Sequence, residues 1–173
     1  DWMYIYNNTF VSFDHKFGSG GNCMRTGVNT GNNLFIKNNV FVQLSDHSYR
    51  ACIYIYNDNW AGVLDNNVYF KKHHLNRTIA TKAAGYTLAE WQNAHVHDQN
   101  SFFADPIFVN FPSSGMTSGE GNYRLTSLSL EALENGATLS GFLDDYDRVT
   151  RPQGLAWDIG AFEYVLEGDP EPP

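Results

Sequence analysis

Three segments of the chain share one pattern: an apolar residue, a polar residue, two asparagines, then an apolar β-forming run. They are Ile5-Tyr6-Asn7-Asn8-Thr9-Phe10-Val11, Ile36-Lys37-Asn38-Asn39-Val40-Phe41-Val42 and Leu64-Asp65-Asn66-Asn67-Val68-Tyr69-Phe70. The asparagine pairs are spaced by 31 and then 28 residues. Recurrence at this period means stacked supersecondary units, because one unit alone cannot bury its apolar face. No helix signal lies inside the units. Each reads as short strands separated by turns. In the best-resolved unit, Cys23–Val28 is a strand, Asn29-Thr30-Gly31-Asn32 a turn and Leu34–Ile36 a second strand. Asn38-Asn39 turns the chain again and Val40–Leu44 is a third strand. The next unit repeats this with strands at Ala51–Tyr56, Val63–Leu64 and Val68–Phe70.

Three strands per unit, wound in one direction, make one coil of a parallel β-helix, with equivalent strands stacked about 4.7–4.9 Å apart. Asparagine suits the bends because it tolerates the left-handed conformation and bonds its own backbone. Asparagines at equivalent positions can also stack as an amide ladder. The expected fold is all-β: about three coils over residues 1–82, a C-terminal coil and irregular cap over 83–166, and an acidic, Pro-rich tail over 167–173. Composition agrees. Aromatics reach 15% and charged residues only 17% of the 173 residues, and the long Ala/Leu/Glu/Lys periodic segments of a helical bundle are missing. The tail reads as a linker to something that follows.

Charge divides the chain. Residues 1–82 hold eight Lys and Arg against five Asp and Glu, whereas 83–173 hold three against fourteen. The net charge of −8 argues against a nucleic-acid binder. No apolar run reaches the length of a membrane span. Cys23 and Cys52 fit neither a zinc pattern nor a CxxC redox pattern.

The long turns expected after the third strand of each coil run from Asp14 to Asn22, Ser45 to Arg50, and Lys71 to about Lys82. Counted from the second asparagine of each pair, His15 falls at +7, His47 at +8, and His73 and His74 at +6 and +7. Stacking places these histidines on one side of the solenoid together with Lys16, Arg50, Lys71, Lys72 and Arg77. Such a basic groove suits an anionic polymer, whose carboxylates Lys and Arg neutralise. On the neighbouring strands, inward Ile53 and Ile55 leave Cys52, Tyr54, Tyr56 and Arg25 facing outward, and exposed tyrosines can stack on sugars. A register slip of one residue would reverse this assignment. The same stacking brings Cys23 near Cys52, within reach of a disulfide or as two buried thiols. His95 and His97 suggest a metal pair. Asp144, Asp145 and Asp147 offer oxygen ligands for calcium.

A further set of motifs closes the chain: Leu88-Ala89-Glu90-Trp91-Gln92, Asp98-Gln99-Asn100-Ser101, Ala104-Asp105-Pro106-Ile107-Phe108-Val109, Asn122-Tyr123-Arg124-Leu125-Thr126, and Arg151-Pro152-Gln153-Gly154 followed by Asp158-Ile159-Gly160-Ala161-Phe162-Glu163-Tyr164. With the repeats, these blocks resemble secreted right-handed parallel β-helix proteins of the pectate-lyase-like superfamily, a bacterial group with a recurrent C-terminal end. One block departs from that pattern: Leu128-Ser129-Leu130-Glu131-Ala132-Leu133 stands where a Ser-Pro-Ala-Ile-Asp-type stretch is usual. The resemblance implies a secreted or cell-surface carbohydrate-active protein. Asp98, Asp158 and Glu163 would then be structural residues of its end. It implies lyase chemistry, in which a base abstracts the proton α to a uronate carboxylate and β-elimination follows. The candidate catalytic residues are His15, Lys16, Arg25, His47 and Arg50. The candidate substrate-binding residues are Tyr54, Tyr56, Lys71, Lys72 and His73. Glycoside hydrolysis would need a carboxylate pair, for which Asp14 and Asp46 are the recurring acids. The alternatives are a non-catalytic glycan-binding adhesin and a structural fragment. In the second, N-terminal coils on another chain, or missing from this one, would complete the solenoid at Trp2–Ile5.

Overall fold

The structure is a computed structural model that describes residues 2–13, 21–27, 33–56, 62–111 and 121–166. Three strand triplets come first: β1 (Met3–Tyr6), β2 (Thr9–Ser12) and β3 (Met24–Arg25); β4 (Leu34–Lys37), β5 (Val40–Gln43) and β6 (Ile53–Ile55); β7 (Val63–Asp65), β8 (Val68–Lys71) and β9 (Ile79–Thr81). The chain continues through β10 (Gly85–Tyr86), helix α1 (Leu88–Ala94), β11 (Phe102–Phe103), β12 (Phe108–Asn110) and β13 (Asn122–Leu125). Each strand of a triplet joins a different sheet. The sheet orders are β1-β4-β7, β2-β5-β8-β11 and β3-β6-β9-β10, with β12-β13 as a separate pair. All pairings between strands of successive triplets are parallel; β10 runs antiparallel to β9. The class is all-β. Among the described residues, no helix is long and apolar enough to cross a membrane.

The two asparagines of each pair divide the work. Asn7, Asn38 and Asn66 take φ values of 54°, 56° and 52°, the left-handed region that Asn enters more readily than most residues. Their successors Asn8, Asn39 and Asn67 form the ladder. The Asn8 backbone N–H and Nδ2 donate to Asn39 Oδ1, at 3.0 Å each. Asn39 repeats both bonds onto Asn67 Oδ1 at 3.0 and 3.1 Å. Asn67 Nδ2 then reaches Asp98 Oδ1 at 3.3 Å. Each amide thus satisfies backbone and side-chain groups that would be costly to bury unpaired.

Register follows the repeat. Thr9, Val40 and Val68 are successive partners, as are Phe10, Phe41 and Tyr69. Those three rings stack at centroid separations of 5.1 and 5.5 Å with planes within 11°. They form one core with Ile36, Ile53, Ile55, Leu64 and Ile79. The opposite face of the β2-β5-β8 sheet packs Val40, Val42 and Val68 against Phe108, Leu125 and Ile159 of the C-terminal region. Both faces of β5 are therefore covered, which is why Val40-Phe41-Val42 reads as a continuous apolar run instead of an alternation.

Three expectations need correction. Ile79–Thr81, placed within a long turn, is strand β9 and extends the third sheet. Cys52 does not face outward: it is fully buried, because it sits at the corner before β6 where strand alternation has not begun. Helix α1 was not foreseen. Its signal is a capping box in which Thr87 accepts from the Glu90 N–H while the Glu90 carboxylate accepts from Thr87. Leu88 and Trp91 of α1 are buried in the core.

The cap closes over the asparagine corners. Asn66 Nδ2 donates to Asn135 O at 3.1 Å. Asn38 exchanges two 2.8 Å bonds with the backbone of Ala137. Gly160 N donates to Asn38 O at 2.9 Å. Gly160 holds φ at +118°, and a Cβ there would lie 3.1 Å from Val40 Cγ2, so a side chain has neither the conformation nor the space. Beneath, Arg151 donates to Glu163 Oε1 at 2.6 Å and to the carbonyls of Asp158 and Gly160.

Candidate functional site

The sheet β3-β6-β9 carries the outward cluster. Ile53 and Ile55 point into the core, which leaves Tyr54 and Tyr56 half-buried on the other face. Arg25 is the register partner of Tyr54. Its guanidinium carbon lies 5.2 Å from the Tyr54 ring centre and 5.4 Å from that of Tyr56. Lys82 Nζ approaches the Tyr56 ring at 5.9 Å. The two tyrosine rings are 6.4 Å apart and tilted by 59°. Each cation lies within cation–π range of a ring, so the half-buried tyrosines hold Arg25 and Lys82 over the sheet instead of leaving them free to sweep solvent. The result is an aromatic platform crowned by two positive charges. Lys82 was missed because β9 was missed. With Ile55 opposite Thr81, the next position brings Lys82 beside Tyr56.

The one-residue ambiguity in register also resolves. The asparagine pairs of the second and third triplets shift by 28 residues and the cysteines by 29. Met24 is paired with Ile53 and Arg25 with Tyr54, so β3 and β6 follow the cysteine spacing of 29 and Arg25 shares the face of Tyr54.

The turns give a different outcome. His15 and Lys16, together with Asp14, lie outside the described residues. The turn after β5 and the turn after β8 do stack, and three basic side chains of the second, Lys71, His74 and Arg77, bond to backbone carbonyls of the first. Lys71 Nζ donates to Arg50 O at 2.6 Å. Arg77 Nε donates to Tyr49 O at 3.2 Å, and His74 Nε2 lies 2.6 Å from Asp46 O. Lys71, proposed above as substrate-binding, is the last residue of β8 and only 1% exposed. Burial lowers its ammonium pKa from the ordinary value. It ties one turn to the next and does not reach a groove. His47 accepts from the Tyr49 N–H through Nδ1 at 3.4 Å and rests 5.6 Å from the Tyr49 ring. Arg50 is half-buried, whereas Lys72 and His73 are exposed. No contact joins these turn residues to Arg25, Tyr54 or Tyr56 among the interactions of the described residues.

Neither metal expectation gains a donor set: among the described residues, no cluster of three or more His, Cys, Asp or Glu is placed to hold an ion. The His95 ring lies 3.9 Å from the Trp91 ring, tilted by 34°, and His97 lies 5.9 Å from the same ring. Asp145 accepts from the N–H groups of Asp147, Val149 and Glu163, and Asp147 pairs with Arg124. Cys23 and Cys52 are free thiols. Burial pushes the Cys23 thiol well up, and the neighbouring Cys52 adds to it, which keeps it protonated and unreactive at neutral pH. Asp98 is structural. It accepts from Trp91 Nε1, Ser101 Oγ, Tyr69 OH and Asn67 Nδ2. Burial raises its pKa to about 6 against the downward pull of the bonds from Ser101, Tyr69 and Asn67.

No family model, no curated protein and no solved structure matches the chain.

Proposed function

We propose that this chain is the C-terminal part of a secreted, right-handed parallel β-helix protein that binds an acidic polysaccharide on the β3-β6-β9 face. The observation that carries the reading is Arg25 held over both Tyr54 and Tyr56, with Lys82 beside them. A uronate offers a pyranose face for the tyrosines and a carboxylate for the cations, so both kinds of group on the platform find a partner. The basic excess of residues 1–82 acts in the same direction by attracting an anionic chain. Lyase chemistry on the same polymer would add a base, for which His47, whose Nδ1 accepts from the Tyr49 N–H, is one candidate imidazole of the turns.

The test is retention on polygalacturonate, alginate and glycosaminoglycan columns, with unsaturated uronate products followed in parallel. Wild-type protein is expected to be retained, to elute with salt, and to lose about tenfold in affinity in Arg25→Ala, the size of one charge-assisted contact of roughly 1.4 kcal/mol. Tyr54→Ala should weaken retention as well. Equal retention of wild type and Arg25→Ala would sink the reading. Product formation abolished by His47→Ala would establish the lyase.

A second reading has its own support. β1, β2 and β3 are all edge strands, and Trp2, Met3 and Tyr4 expose more than half of their surface. An open edge of this kind accepts a further strand. It suits a fragment whose preceding coils lie on another polypeptide.

A further inference from the structure

We propose that the open edge of the first strand triplet recognises an extended segment laid parallel along β1 and β2, with an asparagine at its bend and an aromatic residue two positions later. The proposal rests on the second reading above and names the chemistry of the partner. The asparagine ladder has a direction. The Asn8 N–H and Nδ2 donate to Asn39 Oδ1, and those of Asn39 donate to Asn67 Oδ1. At the far end, Ser101 Oγ accepts from the Asn67 N–H at 2.9 Å and Asp98 Oδ1 accepts from its Nδ2. Each asparagine thus gives its donors to the next strand and offers its own Oδ1 to the strand before. Among the described residues no donor reaches Asn8 Oδ1. The buried unpartnered polar atoms of these residues are confined to Asn7, Arg50, His95 and Arg151. Asn8 Oδ1 is therefore an acceptor open to solvent and in line with the ladder.

The edge around it is incomplete in the same way. Ile36, Leu64, Phe41 and Tyr69 are fully buried, whereas their first-triplet counterparts Ile5 and Phe10 are half-buried. Phe41 is stacked between Phe10 and Tyr69, so the ring column, like the ladder, stops at the first triplet. The N–H groups of Met3 and Asn7 donate toward the β4 side, and the carbonyls of Asn8 and Ser12 accept from the β5 side. Alternate residues of a parallel strand bond opposite neighbours, so the N–H groups of Tyr4, Tyr6, Thr9 and Val11 face the open edge. A strand added here finds backbone partners, a ring to stack on and one side-chain acceptor. The repeat states what that strand must carry. An apolar residue three positions before its asparagine covers Ile5, and an aromatic residue two positions after it covers Phe10. Its amide donates to Asn8 Oδ1 as Asn8 donates to Asn39. A second copy of this chain does not meet the requirement. Head to head, it sets Asn8 Oδ1 against Asn8 Oδ1, acceptor against acceptor. Its other ladder end is closed, because Asp98 and Ser101 are buried there and Trp91 of α1 donates to Asp98.

The experiment is an amide-resolved NMR titration of the full chain with a synthetic peptide of the chain's own second corner, Leu34–Gln43 (Leu-Phe-Ile-Lys-Asn-Asn-Val-Phe-Val-Gln). The comparison peptides carry Asn39→Asp, which replaces the amide donor by an acceptor of the same shape, or Phe41→Ala, or the same residues in scrambled order. The parent peptide is expected to shift the amides of Tyr4, Tyr6, Thr9 and Val11 and to slow their hydrogen exchange. Binding should weaken at least tenfold with Asn39→Asp and severalfold with Phe41→Ala. In the chain variant Asn8→Ala the parent and Asn39→Asp peptides should bind alike. Asn8 ends the ladder, so this variant leaves the Asn39–Asn67 step in place, which the spectrum itself reports. The proposal is overturned if all four peptides bind equally, or if the preference for asparagine survives Asn8→Ala; the open edge would then stand without the amide requirement. Shifts from none of the peptides at millimolar concentration would take down the open-edge reading together with the proposal. Concentration-dependent broadening of these four amides in the chain alone would assign the edge to a second copy and overturn the proposal as well.

Discussion

The strand triplets and the cap both bury polar groups, with opposite chemistry. The triplets use neutral amides in a repeat, with Asn8, Asn39 and Asn67 each bonding the next. The cap uses one ionic knot, in which Arg151 spans Glu163 and two carbonyls with both partners essentially unexposed. Parallel strands spaced about 4.7–4.9 Å apart let one amide reach its own copy on the next strand, so a modest bond can be repeated without burying charge. The cap has no repeat. Its irregular chain leaves carbonyls pointing at one place, and only a guanidinium carries enough donors in a fixed fork to collect them. The repeat spreads its stabilisation over several residues; the cap concentrates it in one.

That contrast can be broken from the cap side first. Arg151→Met leaves Glu163 buried without its cation and should cost about 3–5 kcal/mol in chemical denaturation. A loss below about 1 kcal/mol would mean that the knot contributes no more than a surface pair. Asp98, where the amide ladder ends on a carboxylate, comes next. Its folded pKa of about 6 lies above the ordinary value of 3.8. Between those values the folded state holds a proton that the unfolded chain has released. Stability should therefore fall as pH rises through this window, by on the order of 3 kcal/mol, and level off above it. Asp158 and Glu163 are raised by burial too, so Asp98→Asn should flatten the slope rather than remove it. An unchanged slope would relocate the effect entirely to the cap.

Within the ladder, position should matter. Asn39 bonds both neighbours and the carbonyls of Ile5 and Lys37, whereas Asn8 has a ladder partner on one side. Asn39→Ala should cost about 2–3 kcal/mol, and Asn8→Ala under about 1 kcal/mol. Equal costs would show that the ladder is not cooperative along its length. The smallest effect belongs to Arg124→Ala. Its pair with Asp147 has the same 2.6 Å separation as the buried pair, but Arg124 is 49% exposed. A change of roughly 0–1 kcal/mol is expected from the melting shift.

Sequence reading located the strands that carry the asparagine pairs because their signal is local: Asn at a bend, β-branched and aromatic residues after it. It placed Tyr54 and Arg25 on one outward face, since alternation needs only the identity of Ile53 and Ile55 as core residues. It failed at corners and ends. Cys52 was assigned outward by extending the alternation one residue beyond β6, into a corner where it does not apply. Lys71 was assigned to a groove because a lysine after a strand ordinarily faces water. Here the carbonyl of Arg50, 21 residues away in sequence, draws it in.

The amino-acid sequence by itself determined the period, the bends and the facing of the strands, because these depend on φ preferences and on the two-residue repeat of a strand. Only the tertiary structure decided which basic residues remain free for a ligand. It also decided that Arg25 and Lys82 converge on one pair of tyrosines, and that Asn8 Oδ1 stands without a donor at the open end of the ladder. Those outcomes depend on contacts between residues far apart in the chain, up to the 152 positions between Thr9 and Ala161, which no local pattern encodes.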